Sequence, residues 1–129
     1  MRAEAEAWLR QAERDLVKAE NDLKTGDWDG AAFWSQQAAE KALKALLLNA
    51  GYPARGHNLL ALADAVRREL GLDVTPIMSD LRELTIHYTI ARYPNAANAI
   101  PYELYDEAKA RDLVGRARRV LEWVRQHLQ

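Results

Sequence analysis

The chain has 129 residues, a formal net charge of −1 and charged side chains at 29% of its positions. This length suffices for one domain with its own core, and we expect residues 1–129 to form a single domain. A net charge so close to zero excludes binding to a polyanion through bulk charge, so any contact with nucleic acid requires a local basic patch. The absence of cysteine excludes disulfide bonds and thiolate metal sites.

The sequence offers no segment suited to a membrane. Its N-terminal residues are acidic and alanine-rich, and they lack the apolar run of a secretory signal peptide. The longest nearly apolar run, Ala42 to Leu48, contains Lys44 and is far too short to cross a bilayer. The sequence therefore predicts a soluble, cytoplasmic protein.

The first two helices follow from the spacing of their apolar residues. The first is predicted from about Ala3 to Lys24, and Gly26 supplies a flexible residue at its C-terminal end. The second is predicted from about Gly30 to Ala50, with Asp27 or Asp29 as its N-cap. Small alanines recur along the second helix and allow neighbouring helices to approach closely, so we expect it to be central.

Three further helices are predicted over Asn58–Leu70, Ile77–Ala91 and Asp106–His127. Thr75 and Pro76 provide a start for the middle one, residues 95–104 are predicted to be a loop, and His57 is expected to order the loop before the first. No segment alternates apolar and polar residues over the length of a strand. The sequence therefore predicts an all-α fold, an up-and-down antiparallel bundle of four long helices plus one shorter helix.

The end of the fourth helix carries cationic and aromatic residues that bundle packing does not explain, and Pro94 then stops the helix. A tyrosine can stack on a base and an arginine can bind a phosphate, so Tyr88, Arg92 and Tyr93 are candidate nucleotide- or RNA-binding residues. Alternatively, Arg92 caps helix carbonyls while Tyr88 and Tyr93 fill the gap under residues 95–104. No phosphate loop, zinc spacing or paired acidic site is present, so we predict neither a metal nor a cofactor.

Several blocks of the sequence resemble the HEPN domain family of prokaryotes and together span nearly the whole chain. These blocks are Trp8-Leu9, Gly26-Asp27-Trp28, residues 36–45 (QQAAEKALKA), His57-x-Leu59, Tyr88-x-x-x-Arg92-Tyr93-Pro94, Pro101-Tyr102 and residues 121–124 (LEWV). The resemblance implies a helical bundle that usually forms a homodimer and often has a minimal nucleotidyltransferase, encoded beside it, as its partner. It also implies that many members are toxins that cut RNA without a metal, whereas others only bind nucleotides or partners.

Arg82 and His87, with four residues between them, match the arginine–histidine spacing of the ribonuclease branch of this family. In such an enzyme the catalytic His87 would move a proton and the catalytic Arg82 would hold the phosphate. Glu83 departs from that branch, which usually has a smaller polar residue there. A five-residue step on a regular helix also separates two side chains by about 140°. A His87 that faces a solvent cleft with Arg82 near a dimer axis would favour cleavage, whereas a His87 buried in the monomer core would effectively rule out cleavage by this pair.

Three functions therefore compete. The first is a protein of a toxin–antitoxin-like pair that binds nucleotide or RNA and docks on a nucleotidyltransferase. The alternatives are a metal-independent endoribonuclease toxin that uses Arg82 and His87, and a structural dimerisation module. Because the carboxylate of Glu83 lies beside Arg82 and repels phosphate, we rank the binding function ahead of RNA cleavage. The chain has more apolar and aromatic residues, such as Trp28 and Trp34, than a bundle of this size can bury, which favours a homodimer.

Overall fold

The computed structural model describes residues 1–128, and no strand occurs among them. The helices are α1 Ala3–Thr25, α2 Trp28–Asn49, α3 Leu59–Leu70, α4 Thr75–Thr85, α5 His87–Ile90, α6 Pro94–Ala97 and α7 Glu107–His127, with a 3₁₀ turn over Pro101–Leu104. The predicted all-α bundle is confirmed. The count of four long helices and one shorter helix is only approximate, because the fourth is divided and short helical segments follow it. Within residues 1–128, no helix has the length and apolar character needed to cross a membrane.

Helix α2 is the centre of the bundle and packs against α1, α3 and α7. Six of its alanines are completely buried, namely Ala31, Ala32, Ala38, Ala39, Ala42 and Ala45. Their short side chains let the neighbouring helices approach closely and fill the interior at high density. The prediction that this helix is central is therefore confirmed.

The predicted cap at Gly26 is confirmed, whereas the predicted N-caps of α2 and α4 are not: Thr75 is the first residue of α4, and Val74 precedes it without a side-chain cap hydrogen bond. Gly26 follows α1 with φ 79, a left-handed conformation that glycine adopts without steric cost. Asn58 precedes α3, and its side chain accepts hydrogen bonds from two backbone N–H groups of the first turn. Helix α2 begins at Trp28, earlier than predicted, and Asp27 occupies the N-cap position without a side-chain cap hydrogen bond.

The helix predicted over residues 77–91 is divided into α4 and α5. Helix α4 starts earlier than predicted, because the side chain of Asp73 accepts a 3.0 Å hydrogen bond from the backbone nitrogen of Thr75. Ile86 separates α4 from α5 but keeps right-handed angles, with φ −68 and ψ −20. The interruption lies among β-branched residues, whose stiff side chains lower helix propensity.

The predicted loop over residues 95–104 contains helical structure. Helix α6 begins at Pro94, and Asn98 ends it with φ 52. The 3₁₀ turn begins at Pro101 and leads to α7. Both segments start with proline because its fixed φ suits the first helical position and its missing N–H is not needed there. The prediction of an irregular loop was therefore wrong for these residues.

A buried carboxylate fixes α4 on α7. Asp80 is 5% exposed, and it accepts hydrogen bonds from Arg119 at 2.8 Å and from Arg116 at 3.2 Å. Charged hydrogen bonds are shorter and stronger than neutral ones, and a buried carboxylate requires such partners. This contact gives the C-terminal part of α4, and the residues that follow it, a defined place in the bundle.

Candidate functional site

Arg92 lies just after α5, and its guanidinium packs against three aromatic rings. The guanidinium carbon is 4.4 Å from the ring centroid of Phe33, 4.5 Å from that of Tyr88 and 4.8 Å from that of Tyr93. Nε of Arg92 also donates a 2.8 Å hydrogen bond to the carbonyl oxygen of Tyr88. We call these four residues the Arg92 cluster. A guanidinium in cation–π contact can still donate hydrogen bonds through its N–H groups.

The N–H edge of Arg92 has no carboxylate partner in the part of the chain that the structure describes. The Nε bond is the only hydrogen bond of its guanidinium to residues 1–128, and the side chain is exposed. By contrast, Arg111 pairs with Glu107 at 2.7 Å, and Arg118 pairs with Glu20 at 3.1 Å. An exposed cation on an aromatic support is suited to bind an anion, because it is already ordered.

The two tyrosines of the Arg92 cluster differ in exposure. Tyr93 is 47% exposed, and its extended backbone before Pro94, with φ −117 and ψ 119, leaves the ring at the surface. Tyr88 is half-buried. His57 stacks on its ring, with centroids 3.8 Å apart and planes 11° apart, and the guanidinium carbon of Arg92 lies 4.5 Å from the centroid of the same ring. The alternative role of Arg92, as a cap of helix carbonyls, is confirmed by its hydrogen bond to Tyr88. Tyr93 is exposed and therefore does not fill the gap under residues 95–104.

His57 is tied to a carboxylate on the buried side of α2. Its Nδ1 is 3.0 Å from Oε1 of Glu40, which is only 3% exposed. Lys44 donates to Oε2 of Glu40 at 3.0 Å and supplies the counter-charge that a buried carboxylate needs. Gln36 donates a 3.0 Å hydrogen bond to the carbonyl oxygen of His57. The expectation that His57 orders the loop before α3 is confirmed, and its stacking on Tyr88 adds a second contact.

His87 points into the bundle. It is 2% exposed, and its Nδ1 lies 2.6 Å from the hydroxyl oxygen of Tyr105. Burial, together with the charge of Lys109, lowers the pKa of His87 to about 4, so its ring is neutral at pH 7. Burial likewise raises the pKa of Tyr105 to about 12. Arg82 is exposed, so the two predicted catalytic side chains lie in different environments, one in the core and one at the surface.

Two residues of this region were not singled out as site residues from the sequence, namely Phe33 and Glu40. Both lie on α2, and Glu40 stands among buried alanines such as Ala39 and Ala42. A charge on the core-facing side of a helix requires a partner, because burying an unpaired carboxylate is costly. That requirement was the signal that could have directed attention to His57.

The bundle and its sequence blocks match known proteins. A family model described as the HEPN domain matches residues 5–127, so the chain belongs to the HEPN domain family. TT1696 from Thermus thermophilus has a similar structure, with a TM-score of 0.89 and 34% identity over 96% of this chain and 98% of that one. ST0689, described as an archaeal HEPN homologue, has a TM-score of 0.77 and 36% identity over 97% and 98% of the two chains.

Two further relatives agree with this assignment. An HEPN domain protein from Thermotoga maritima has a TM-score of 0.74 and 27% identity over 93% of this chain and 95% of its own. The protein named "Putative toxin MJ1304" from Methanocaldococcus jannaschii is 29% identical in an alignment of 138 positions, which covers 97% of this chain and 88% of that protein. The resemblance drawn from the sequence blocks is confirmed.

Proposed function

We propose that this HEPN protein is the toxin-like member of a toxin–antitoxin-like pair, that it binds RNA or a nucleotide at the Arg92 cluster, and that it docks on a nucleotidyltransferase partner. Its family and its relative with a toxin name support the toxin-like character. The Arg92 cluster supports recognition of a phosphate and a base on one surface, because it combines a guanidinium with aromatic rings.

The unpaired edge of Arg92 on its aromatic support carries the proposal. An arginine that served only to cap α5 would need the Nε bond to Tyr88 and nothing more. Capping does not require the three aromatic rings around Arg92, nor does it require N–H groups that lack a carboxylate partner. Parallel N–H donors of a guanidinium match two phosphate oxygens. Tyr93 is the ring of the cluster that is open enough to stack on a base, whereas Tyr88 is covered by His57 and Arg92.

Arg92→Ala, compared with Arg111→Ala, tests the binding. Both arginines are exposed, but Arg111 is ion-paired with Glu107 and serves as the matched control. Fluorescence anisotropy with labelled single-stranded RNA, and competition by ATP, would give the affinities at low salt. We expect Arg92→Ala to weaken binding by about 10- to 100-fold, because a charged hydrogen bond contributes ~1.5–3 kcal/mol. Arg111→Ala should bind like the wild type, and equal binding by Arg92→Ala would remove Arg92 from the site.

Docking on a nucleotidyltransferase has a separate test. Expression of the chain alone should slow the growth of the host cell, and co-expression of the nucleotidyltransferase encoded beside it should relieve this effect. The two proteins should also elute as one complex in size-exclusion chromatography. Separate elution, together with growth inhibition that the second protein does not relieve, would exclude this partner while leaving RNA binding untouched.

The alternative function, cleavage of RNA by Arg82 and His87, is disfavoured because His87 is buried and contacts Tyr105, whereas Arg82 is exposed. This reaction would require His87 to leave Tyr105 and reach the surface. Catalysis by Arg82 and His87 is tested by incubating the wild-type protein and His87→Ala separately with RNA in the presence of EDTA. Cleavage that leaves 2′,3′-cyclic phosphate ends and is lost in the variant would establish His87, and unchanged cleavage would exclude it.

A further inference from the structure

His57 is exposed, yet several contacts hold its ring in one orientation. Its side chain is 49% exposed, while Nδ1 lies 3.0 Å from Oε1 of Glu40. The ring stacks on Tyr88 at a centroid distance of 3.8 Å, and Gln36 holds the carbonyl oxygen of His57 at 3.0 Å. A surface side chain fixed in this way is positioned before a ligand arrives, as a functional group at a reacting centre must be.

The contact with Glu40 determines which nitrogen of His57 is free. A carboxylate only accepts hydrogen bonds, so Nδ1 carries the hydrogen and Nε2 of the neutral ring keeps its lone pair. Within residues 1–128, Nε2 has no hydrogen-bond partner. Lys44 donates a 3.0 Å hydrogen bond to the other oxygen of Glu40 and holds that carboxylate in place.

Tyr88 brings His57 and Arg92 together. His57 stacks on the tyrosine ring at a centroid distance of 3.8 Å, and the guanidinium carbon of Arg92 lies 4.5 Å from the centroid of the same ring. The exposed ring of Tyr93 is 4.8 Å from the same guanidinium. One surface therefore combines a proton acceptor, an unpaired cation and an aromatic platform. Cleavage of RNA needs these three roles to move a proton, stabilise the phosphate and position a base.

We infer that His57 is the proton acceptor of an RNA-cleaving site formed with Arg92, which rests on the proposed binding of RNA at this cluster. Nε2 of His57 takes the proton of a ribose 2′-hydroxyl, and the 2′-oxygen forms a bond to the adjacent phosphorus. The bond from phosphorus to the 5′-oxygen breaks, and that oxygen takes a proton from water, while His57 later returns its proton to solvent. Arg92 stabilises the negative charge on the phosphoryl oxygens in the transition state. The products are a 2′,3′-cyclic phosphate and a 5′-hydroxyl.

RNA is the substrate class because the nucleophile has to come from the substrate. His57 and Arg92 supply a proton acceptor and a charge clamp, and neither is itself placed to attack phosphorus. In RNA the 2′-hydroxyl stands beside each phosphodiester, whereas DNA lacks it. The assignment also differs from cleavage through His87, since that ring is buried and His57 is open to solvent.

The test uses His57→Phe, which keeps a ring that can stack on Tyr88 but has no nitrogen to accept a proton. The side chain is half exposed, so the variant should fold, and thermal unfolding will check this. Cleavage is measured in EDTA on a labelled pool of single-stranded RNA of random sequence. Binding is measured on the 2′-O-methyl form of the same pool, which has the same charges but no free 2′-hydroxyl. Arg92→Ala is carried through both assays.

We expect wild type to cleave the pool and leave cyclic phosphate ends, and His57→Phe to cleave at least about 100-fold more slowly while binding the 2′-O-methyl pool to within about twofold. Cleavage at the wild-type rate by His57→Phe would overturn the inference and leave the binding function standing. Binding without cleavage by the wild type would do the same, as would a loss of binding in His57→Phe. Equal binding by wild type and Arg92→Ala would instead overturn the proposed function, and the inference with it.

Discussion

Arg92 is attached to Tyr88 at two points. Its Nε donates a 2.8 Å hydrogen bond to the carbonyl oxygen of Tyr88, and its guanidinium carbon lies 4.5 Å from the centroid of the same residue's ring. The backbone contact fixes the position of the guanidinium and the ring contact fixes its plane. A free arginine side chain carries about 2 kcal/mol of rotamer entropy, so a guanidinium already held in place loses less of it on binding an anion.

Replacement of Tyr93 tests base stacking. Tyr93→Ala should weaken the binding of single-stranded RNA by roughly 5- to 150-fold, because stacking of a base on an aromatic ring contributes ~1–3 kcal/mol. The ring is 47% exposed, so the fold should be unaffected. Tyr93→Phe keeps the ring and should bind like the wild type in fluorescence anisotropy. The prediction that Tyr93 stacks on a base is wrong if Tyr93→Phe loses as much affinity for RNA as Tyr93→Ala.

His87 should make the stability of the protein depend on pH. Burial lowers its pKa to about 4, below the ~6.5 of an unperturbed histidine. Between these two values the unfolded chain binds a proton that the folded chain does not. The free energy of unfolding contributed by this group is therefore complete above pH 6.5 and falls as the pH drops towards 4.

Urea unfolding of wild type and His87→Gln between pH 5 and pH 8 measures this dependence. From pH 7 to pH 5 the wild type should lose about 2 kcal/mol through His87, because each pKa unit of difference corresponds to ~1.4 kcal/mol. The variant should lose correspondingly less over the same range. Identical slopes for the two proteins would show that His87 is not protected from protonation in the folded state.

Asp80 should stabilise the contact between α4 and α7. Asp80→Asn should lower the free energy of unfolding by about 1–3 kcal/mol, because Arg116 and Arg119 lose a buried charged acceptor. Asp64→Asn is the matched control, since Asp64 also contacts two arginines, at 2.7 and 2.8 Å, but on the solvent side of α3. Its urea midpoint should hardly change, because exposed ion pairs contribute little. Equal shifts of the two midpoints would contradict this assignment.

The protein should form a homodimer. Trp28 and Trp34 are only half-buried in the single chain, and large apolar side chains are exposed around the α5–α7 connection. Apart from Tyr93 of the Arg92 cluster, these exposed side chains are Ile86, Ile100, Tyr102 and Leu104. A specific dimer buries at least about 1,000 Å² in total, and these residues can contribute to such an interface. Sedimentation equilibrium should give the dimer mass, and a monomer at high protein concentration would contradict the prediction.

The helices could be predicted from the sequence because their apolar residues recur at helical spacing and some ends carry a clear cap, such as Gly26. The interruption at Ile86 could not be predicted, because the apolar spacing continues across it and the β-branched residues around it lower helix propensity without specifying where a helix is interrupted. Pro94 and Pro101 were interpreted as signs of a loop, although each begins a helical segment instead.

The candidate site was predictable where its residues are neighbours in the sequence. Arg92 and Tyr93 adjoin the proline that ends the helix, and their chemistry is visible without a structure. The partners of His57 were not predictable, because Glu40 and Tyr88 come from two other helices. Contacts between distant residues depend on tertiary packing, which the apolar pattern of one helix does not specify.

The salt dependence of RNA binding by wild type and Arg92→Ala is the most direct test of the central claim. Each phosphate contact on a single strand contributes roughly 0.7 to the slope of log K against log salt concentration. Arg92→Ala should therefore lower the slope by about that amount, and its loss of affinity should be largest at low salt and shrink at high salt. Equal affinities at low salt, or parallel lines for the two proteins, would contradict a phosphate contact by Arg92.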